Sequence, residues 1–336
     1  MTVANDDLNT NDLPGIGTWI HGRVVLGLWP IAGVTTIGVT RKDVDSTMDA
    51  ALDCGIRSFD TAYSYGLIGE SDDALRRAMR RNAGRIDRNS FCVISKVAQR
   101  YDASGRRYVD ARPSTLVADA EESLSRLGID RFDCLMLHSI DEDVPIEASA
   151  DALHSLRRRG LADRIGICNA TTQQRQQFAS VGPCEAMQCP LNLLQQDTLA
   201  ELISPAASDG VAVLTYWALM KGLLAGRIGR DHQFAHGDSR PGYAIFQGRA
   251  RERAHRLVDG LTDIAGQVGC SVAELSISWV LNQPGVSAVL AGARRPSQVQ
   301  EFAAAQPLSV QLSEQIQNVM NHLPLPTDEG DGARPS

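Results

Sequence analysis

The chain has 336 residues, of which 43% are hydrophobic, and a formal net charge of −7. That length and composition fit a folded protein with a full core, built as one large α/β domain or two ordinary ones. The negative charge argues against a general nucleic-acid or anionic-membrane binder. No run approaches the roughly 20 apolar residues that span a bilayer, so no membrane segment is expected.

The two ends of the chain are polar, and the fold signals lie between them. Residues 1–20 lack a basic start and an apolar centre, so a flexible leader is expected rather than a signal peptide. Residues 324–336 are predicted to form a loose tail. Seven cysteines are scattered without a CxxC pair, which favours reduced thiols in a cytoplasmic protein over disulfides or a metal site.

Short apolar strands alternate with longer amphipathic helices between residues 21 and 323. The predicted strands are 24–29, 56–60, 91–96, 133–138, 164–168, 186–189, 211–217 and 287–291. The predicted helices are 42–54, 71–81, 114–127, 147–159, 172–178, 197–208, 249–268, 271–283, 296–305 and 313–322.

This alternation of strands and helices predicts one α/β domain with a (β/α)₈ TIM barrel and extra helices at its C-terminal end. Repeated β–α units imply parallel strands with right-handed crossovers, and eight units favour a closed barrel over an open sheet. A doubly wound dinucleotide fold would need GxGxxG after its first strand, but GLWPIAGVTTIG stands there. After the seventh strand, residues 226–248 form a long glycine-rich segment, which is more often functional than accidental.

Four chemically active side chains follow the second, third and fourth predicted strands. Asp60 ends the second strand and Tyr65 follows it, Lys96 ends the run FCVIS, and His138 ends DCLML. The carboxyl ends of barrel strands meet at one mouth, where active sites lie. We therefore expect the four side chains to converge there.

Together these groups suit protonation of a carbonyl oxygen while hydride reaches its carbon. Tyrosine has an ordinary pKa of about 10, which a neighbouring Lys96 would lower, and Asp60 would hold that lysine charged. His138 would hydrogen-bond the substrate oxygen. Because no side chain donates hydride, a nicotinamide or similar cofactor is required. Each residue alone also has a structural interpretation, and Tyr63 is an alternative to Tyr65.

The order of these residues resembles the aldo-keto reductase family over about residues 22–322. The segment FDTAYSYGLIGESDDALRRAMR, residues 59–80, is similar to the family pattern DTAxxYG followed by an SE element, with 69–71 as a variation. The resemblance implies an NADP-dependent enzyme that reduces an aldehyde or ketone reversibly. It implies proton donation by tyrosine, tuning by lysine and aspartate, and carbonyl orientation by histidine, and it selects Asp60, Tyr65, Lys96 and His138.

The resemblance also implies a cofactor site with a nicotinamide end, a pyrophosphate loop and an adenosine end. Its residues would be Trp29, Asn169, Gln188, Tyr216, Leu219, Lys221, Gly222, Gly292, Arg294, Arg295 and Gln298. At the adenosine end, Arg294 and Arg295 precede a helix that begins near Pro296. Guanidinium groups beside a helix N-terminus suit a 2′-phosphate, so NADP is favoured over NAD. No metal site is predicted.

Several positions depart from the family pattern. Cys168 stands where the carboxamide-binding serine is usual, and Trp217-Ala218 stands where Ser-Pro is common. Gln298 and Phe302 replace an arginine and an asparagine that often hold the adenosine. These departures bear on how tightly the cofactor is bound and on the shape of the pocket wall.

The substrate-facing loops leave several interpretations open. Pocket walls are expected from Trp29, 99–112, 140–145 and 226–248, with aromatic residues that line the pocket or anchor the loops. The aromatic residues are Trp29, Tyr101, Phe234, Tyr243 and Phe246. Arginines in the same region either attract an anionic substrate or form a solvated surface, and they are Arg100, Arg106, Arg107 and Arg112.

Two other functions remain open on the same fold. One is a regulatory or binding subunit that senses its bound cofactor, as in potassium-channel β-subunits that resemble this family. The other is an NAD-dependent sugar dehydrogenase. The sequence predicts a small-molecule carbonyl or alcohol as partner, without nucleic acid or membrane, and it leaves the oligomeric state open.

Overall fold

The computed structural model describes residues 19–34 and 37–323. Eight parallel strands form a closed barrel, which confirms the predicted TIM-barrel fold. The strands of the chain are β1 (Val24–Gly27), β2 (Ser58–Asp60), β3 (Cys92–Val97), β4 (Gln99–Tyr101), β5 (Arg107–Val109), β6 (Cys134–Leu137), β7 (Ile165–Cys168), β8 (Ala186–Pro190), β9 (Ala212–Tyr216) and β10 (Val286–Gly292).

The barrel strands pair in the order β1-β10-β9-β8-β7-β6-β3-β2, while β4 and β5 form a separate antiparallel hairpin. Parallel pairing aligns Asp60 with Ile94 and Lys96 with Met136. The register therefore brings the carboxyl ends of β2, β3 and β6 to the same level of the barrel.

Helices surround the strands and cover their outer faces. They are α1 (Arg41–Asp53), α2 (Glu70–Asn82), α3 (Pro113–Leu127), α4 (Ile146–Arg158), α5 (Thr172–Ala179), α6 (Ser204–Ser208), α7 (Gly248–Val268), α8 (Val272–Leu281), α9 (Pro296–Phe302) and α10 (Val310–Asn321). One π-helical turn, Leu199–Ile203, precedes α6 and interrupts the single helix predicted over 197–208.

The predicted leader and tail lie outside the described residues, apart from Trp19 and Ile20 at the end of the leader. Both are buried, and they pack with Val25, Cys92 and Cys134 in the barrel interior. Burial inside the barrel stabilises these two large apolar side chains.

Two differences from the predicted elements concern the barrel mouth. The first strand ends at Gly27, and Trp29–Ile31 forms a 3₁₀ turn, since Pro30 cannot donate a backbone hydrogen bond. The hairpin of β4 and β5 occupies a segment predicted only as a loop. Within the long segment 226–248, short 3₁₀ turns form at Arg240–Gly242 and Ala244–Phe246.

All seven cysteines are free thiols, and five of them are buried. Within the described ranges, no single helix is long and apolar enough to cross a membrane. The helices α7 and α8 meet that length and composition test only as a pair bent by 97°.

Candidate active site

Asp60, Tyr65 and Lys96 form one hydrogen-bonded group at the barrel mouth. Lys96 Nζ donates to Asp60 Oδ1 at 2.5 Å, to the Thr61 carbonyl at 2.9 Å and to Tyr65 Oη at 3.1 Å. Lys96 is only 1% exposed, so its charge depends on these partners. The His138 ring lies 5.7 Å from the Tyr65 ring, which completes the predicted set of four.

The structure separates the two candidate tyrosines. Tyr63 faces away from this group: its hydroxyl donates to Glu122 Oε2 at 2.9 Å and accepts from Arg100 Nη2 at 3.3 Å. Tyr65 lines the cavity and is contacted by Lys96. Tyr65 is therefore the phenol placed for chemistry, while Tyr63 ties helix α3 to the hairpin.

Burial and charge act in opposite directions on these groups. Burial raises the pKa of Tyr65 to about 12; Lys96 acts in the expected lowering direction but is outweighed. Burial also raises the pKa of Asp60 against the lowering effect of Lys96 and Gln188. Burial alone would lower the pKa of Lys96, but Asp60, Tyr65 and Cys168 together outweigh burial and raise it, so the ammonium is retained.

His138 is held as a neutral ring. Burial lowers its pKa well below 6.5, and the positive charges of Lys96 and Arg107 act in the same direction. Its Nδ1 atom is buried and has no hydrogen-bond partner among the described residues. A neutral imidazole can donate from one ring nitrogen and accept at the other, which suits contact with a substrate oxygen.

A buried polar network supports the group from behind, and the sequence did not reveal it. Thr61 Oγ1 lies 2.7 Å from Asp72 Oδ1 and 2.7 Å from Ser71 Oγ, and Ser123 Oγ donates to Asp72 Oδ2 at 2.7 Å. Because the carbonyl of Thr61 also accepts from Lys96, this network fixes one wall of the lysine site. Burial raises the pKa of Asp72 to about 6. The sequence feature that could have indicated this network is the run of acidic residues at the start of α2.

Backbone strain is concentrated at the mouth. In the described part of the chain, five non-glycine residues have positive φ, and all five follow the carboxyl ends of β3, β7 or β9. They are Ala98, Asn169, Trp217, Met220 and Lys221. Such conformations cost about 1–3 kcal/mol each and cluster at functional sites, where the surrounding structure holds them.

We call the group of Asp60, Tyr65, Lys96 and His138 the catalytic corner. A cavity of about 810 Å³ extends from it across the barrel mouth. Of the predicted cofactor residues, ten line it: Trp29, Asn169, Gln188, Tyr216, Leu219, Lys221, Gly222, Gly292, Arg294 and Gln298. Its volume lies within the range of small-molecule and cofactor sites. The structure thus brings together the residues predicted for the nicotinamide end, the pyrophosphate loop and the adenosine end.

The donor set at the nicotinamide end fits a carboxamide. Gln188 Nε2 donates to Asp60 Oδ2 at 2.6 Å, and Asn169 Nδ2 donates to the His138 carbonyl at 2.8 Å. One N–H of each side-chain amide is thus occupied, and each amide oxygen, which has two lone pairs, can still accept one further hydrogen bond beside the cavity. An incoming carboxamide –NH₂ group requires such acceptors.

Two neighbours complete this end of the site. The hydroxyl of Tyr216 donates to Asn169 Oδ1 at 2.6 Å, which holds the aromatic ring in place. Cys168, at the position of the family serine, lies with Sγ 3.7 Å from Gln188 Oε1. Burial raises the pKa of this thiol, so Cys168 stays neutral and serves only as a weak donor.

Arg295 is the predicted cofactor residue that does not line the cavity. Its Nη1 donates to Asp43 Oδ1 at 2.9 Å, near the start of α1. Arg295 has an extended backbone, with φ −145° and ψ 150°, so neighbouring side chains point to opposite sides. Arg294 lines the cavity, and its backbone N–H donates to Gln298 Oε1 at 2.8 Å. Of the two arginines predicted to bind the cofactor, only Arg294 therefore faces the cavity in the described structure.

The long segment 226–248 contributes to the same region. Arg240 lines the cavity, forms an ion pair with Asp238 and stacks on Phe234, with its Cζ 4.9 Å from the ring centre. Lys221 lies with Nζ 4.1 Å from the centre of the Tyr243 ring. Charged groups thus gather at the part of the cavity that was predicted to bind the cofactor phosphates.

The predicted pocket walls are met in part. Trp29, Tyr101 and Tyr243 line the cavity, whereas Phe234 and Phe246 pack on each other, with ring centres 5.4 Å apart, and anchor the loop. Residues 140–145 do not line the cavity. The side chain of Asp141 instead accepts from the N–H of Ala111, just after the hairpin, at 2.9 Å.

Comparison with known proteins agrees with this geometry. A model of the aldo/keto reductase family matches residues 23–321. The chain is 32% identical over 283 residues to aldo-keto reductase YhdN of Bacillus subtilis (strain 168), covering 84% of each chain. It is 27% identical over 318 residues to the NADH-specific methylglyoxal reductase of Escherichia coli (strain K12), covering 90% of this chain and 94% of that relative.

A solved structure gives the same result at the level of the fold. The glycerol dehydrogenase from Gluconobacter oxydans superposes with a TM-score of 0.83 at 31% identity, covering 94% of this chain and 96% of that one. The family match spans the whole barrel, including every strand end that contributes to the site. The chain therefore belongs to the aldo/keto reductase family of carbonyl oxidoreductases.

Proposed function

We propose that this protein is an NADP-dependent reductase of an aldehyde or ketone, with Tyr65 as proton donor. The observation that carries the proposal is the position of Lys96, whose ammonium contacts both Asp60 and the Tyr65 hydroxyl at the wall of the cavity. Such an arrangement provides a positioned acid whose proton can be given to a carbonyl oxygen.

The chain's own residues account for the proton. With a pKa of about 12, Tyr65 is protonated at neutral pH and is therefore a donor in the direction of reduction. As its proton leaves, the charge that develops on the phenol oxygen lies 3.1 Å from Lys96 Nζ, which stabilises it. Neutral His138 supplies a hydrogen bond that orients the carbonyl oxygen beside Tyr65.

A nicotinamide cofactor bound along the cavity would supply the hydride. Asn169 and Gln188 would hold its carboxamide through their amide oxygens, and Tyr216 would hold the ring by its aromatic face. The pyrophosphate would lie by Lys221 and Gly222 in the strained turn that follows β9.

The preference for NADP is supported by the charge at the adenosine end. Arg294 lines the cavity there and has no ion-pair partner within the described residues, and Arg240 lies near enough to lower its pKa. Burial is the larger cause of that lowering. A 2′-phosphate would be matched by these two cations. The relative from Escherichia coli is NADH-specific, so this preference is a property to be measured for this chain.

The substrate is proposed to be a small carbonyl compound or the corresponding alcohol. The relatives' names place methylglyoxal and glycerol among the compounds that similar proteins act on. Trp29, Tyr101 and Tyr243 line the cavity and give it aromatic walls, which limit the size of what enters.

The direct test is the consumption of NADPH and of NADH by the purified protein with a panel of aldehydes and ketones. We expect turnover with NADPH and a loss of about 10²- to 10⁴-fold in kcat for Tyr65→Phe, the range expected for a lost general acid. Tyr63→Phe is the matched control, because its hydroxyl contacts Glu122 and not the cavity. It should retain turnover.

Three outcomes would contradict the proposal. Full turnover by Tyr65→Phe would exclude this residue as the donor. Tight NADPH binding with no oxidation by any carbonyl compound would instead favour a cofactor-sensing binding protein. A higher kcat/KM with NAD than with NADP in the oxidative direction would favour the dehydrogenase interpretation.

A further inference from the structure

The hairpin of β4 and β5 presents Tyr101 and Arg107, with Gln99 at its base, to the cavity. Tyr101 and Arg107 are directly opposite each other in its antiparallel register, and both line the cavity. Opposite residues place their side chains on one face of the pair, and the next pair along points to the other face. That next pair is Arg100 with Tyr108. The register therefore selects which arginine faces the site.

The four arginines of this region have different partners. Arg100 contacts Asp119, with Nε–Oδ1 of 3.5 Å, and Arg112 pairs with Asp110 at 2.6 Å. Arg106 is 82% exposed and lies beside the Asp102 carboxylate at the hairpin turn. Of the four, Arg107 alone is among the cavity-lining residues in the described structure.

Arg107 lies close to the catalytic corner. Its Cζ is 5.8 Å from the centre of the Trp29 ring, and that ring is 5.1 Å from the ring of Tyr65. Its charge contributes to lowering the pKa of His138, after the larger effects of burial and Lys96. A short substrate whose carbonyl is held by Tyr65 and His138 would therefore place its far end toward Arg107.

The hairpin is fixed before any substrate arrives. Asp102 Oδ1 accepts from the backbone N–H groups of Ser104 and Arg106, at 2.9 and 3.0 Å. At the base, Gln99 Nε2 donates to Ser139 Oγ at 2.5 Å, which ties the hairpin to the segment after β6. A cation carried on such a support is pre-organised, so less binding energy is lost in ordering it.

The charge balance of the cavity favours an anion. The carboxylates that line it among the described residues are Asp60 and Glu301, and each has a cationic partner, Lys96 or Arg227. The whole chain carries a formal charge of −7, so general electrostatic attraction does not bring anions to it. An anionic substrate would need a local cation at the site itself.

Resting on the proposed reductase function, we propose that Arg107 determines substrate specificity by binding an anionic group, phosphate or carboxylate, on the carbonyl substrate. The planar guanidinium matches two oxygens of either group in a bidentate contact. The substrate class is thus a short aldehyde or ketone with a negatively charged end, and Tyr101 forms the wall beside that end.

The test compares matched neutral and anionic substrates in steady-state kinetics with NADPH. Glycolaldehyde is paired with glycolaldehyde phosphate, and butyraldehyde with succinic semialdehyde. Arg107→Gln should lower kcat/KM for the anionic members by about 10- to 100-fold, the range for hydrogen bonds to charged groups, and change the neutral members little. Arg107→Lys should recover part of the loss.

Arg106→Gln is the matched control, because it removes a neighbouring charge that does not face the cavity. It should leave both substrate types unchanged. The anionic substrate whose kcat/KM falls more in Arg107→Gln identifies its group, phosphate or carboxylate, as the natural one. An equal loss of kcat/KM for neutral and anionic substrates, or no loss for either, would overturn the inference about Arg107. The proposed reductase function would still stand in that case if the neutral substrates were turned over.

Calorimetry keeps the inference testable even if no carbonyl compound is turned over. Succinate and ethyl phosphate are titrated separately into the NADP-saturated protein. We expect at least one to bind the wild-type protein about tenfold more tightly than Arg107→Gln. Equal affinity of both proteins for both anions would overturn the assignment of Arg107, whatever the assays of turnover show.

Discussion

The catalytic corner and the end of the cavity that we propose binds the adenosine, here called the adenosine end, are built in different ways. At the corner, Asp60 and Lys96 belong to barrel strands and are almost fully buried. At the adenosine end, Arg294 and Arg295 follow the end of β10, and Arg295 is 60% exposed. The corner is therefore fixed by the register of the barrel, while the far end depends on which way each side chain turns.

That difference predicts where substitutions will be costly. Buried groups at the corner support one another, so removing one leaves an uncompensated charge. At the adenosine end Arg294 is half-buried and Arg295 is exposed, and neither belongs to a buried ion pair, so each is expected to act separately on cofactor affinity. The experiments below begin with the corner and proceed outward.

The largest effect is expected for Lys96→Met. It leaves the buried Asp60 carboxylate without its cation and removes the group that stabilises Tyr65 as its proton leaves. Breaking a buried ion pair costs about 3–5 kcal/mol, so the free energy of unfolding should fall by that order and reduction should be lost. Denaturant unfolding and NADPH oxidation measure the two effects. Lys42→Met, an exposed lysine of α1, should change neither; an equally stable Lys96→Met protein would contradict this account of the corner.

A second effect, on pH dependence, is expected from the network behind the corner. Burial raises the pKa of Asp72 from 3.8 to about 6, so the folded state holds this proton more tightly than the unfolded state. Its stabilising contribution is fully present below pH 3.8 and is lost as the pH rises through about 6.

Asp72→Asn isolates that contribution. Relative to this variant, the wild-type protein should lose on the order of 3 kcal/mol of unfolding free energy between pH 4 and pH 8, since about two pKa units separate the states. Urea unfolding at a series of pH values measures the difference. A difference that stays constant over that range would show that Asp72 is ionised in the folded protein throughout.

A smaller effect is expected at the adenosine end. Arg294→Gln should raise KM for NADP about tenfold and leave KM for NAD nearly unchanged, because it removes one charged contact to a 2′-phosphate. Steady-state kinetics with both cofactors measure the ratio. An equal rise for NAD and NADP would mean that Arg294 contacts another part of the cofactor.

The smallest effect is expected for Arg295→Gln. Its guanidinium contacts Asp43 and not the cavity, and the pair is solvated. Exposed ion pairs contribute little to stability, so both the unfolding midpoint and the KM for NADP should stay near the wild-type values. If Arg295→Gln weakened the binding of NADP as much as Arg294→Gln does, the orientation of the two side chains described above would be wrong.

The strand ends show how much of this molecule can be predicted from the sequence. Parallel strands that alternate with helices place all their carboxyl ends at one mouth. Asp60 ends β2, Lys96 is the last residue but one of β3, and His138 directly follows β6, so their convergence follows from their positions in the chain. The barrel, its outer helices and this group were therefore predictable before any coordinates.

The tertiary structure decided what sequence spacing leaves open. On the residues alone Tyr63 and Tyr65 were equivalent, and only packing turns Tyr63 toward Glu122 and Tyr65 toward Lys96. Sequence spacing likewise does not decide whether Arg294 or Arg295 faces the cavity, or which of Arg107 and the neighbouring arginines does. Backbone alternation sends adjacent side chains to opposite sides, and the side that faces a cavity is set by contacts with residues far away in the chain.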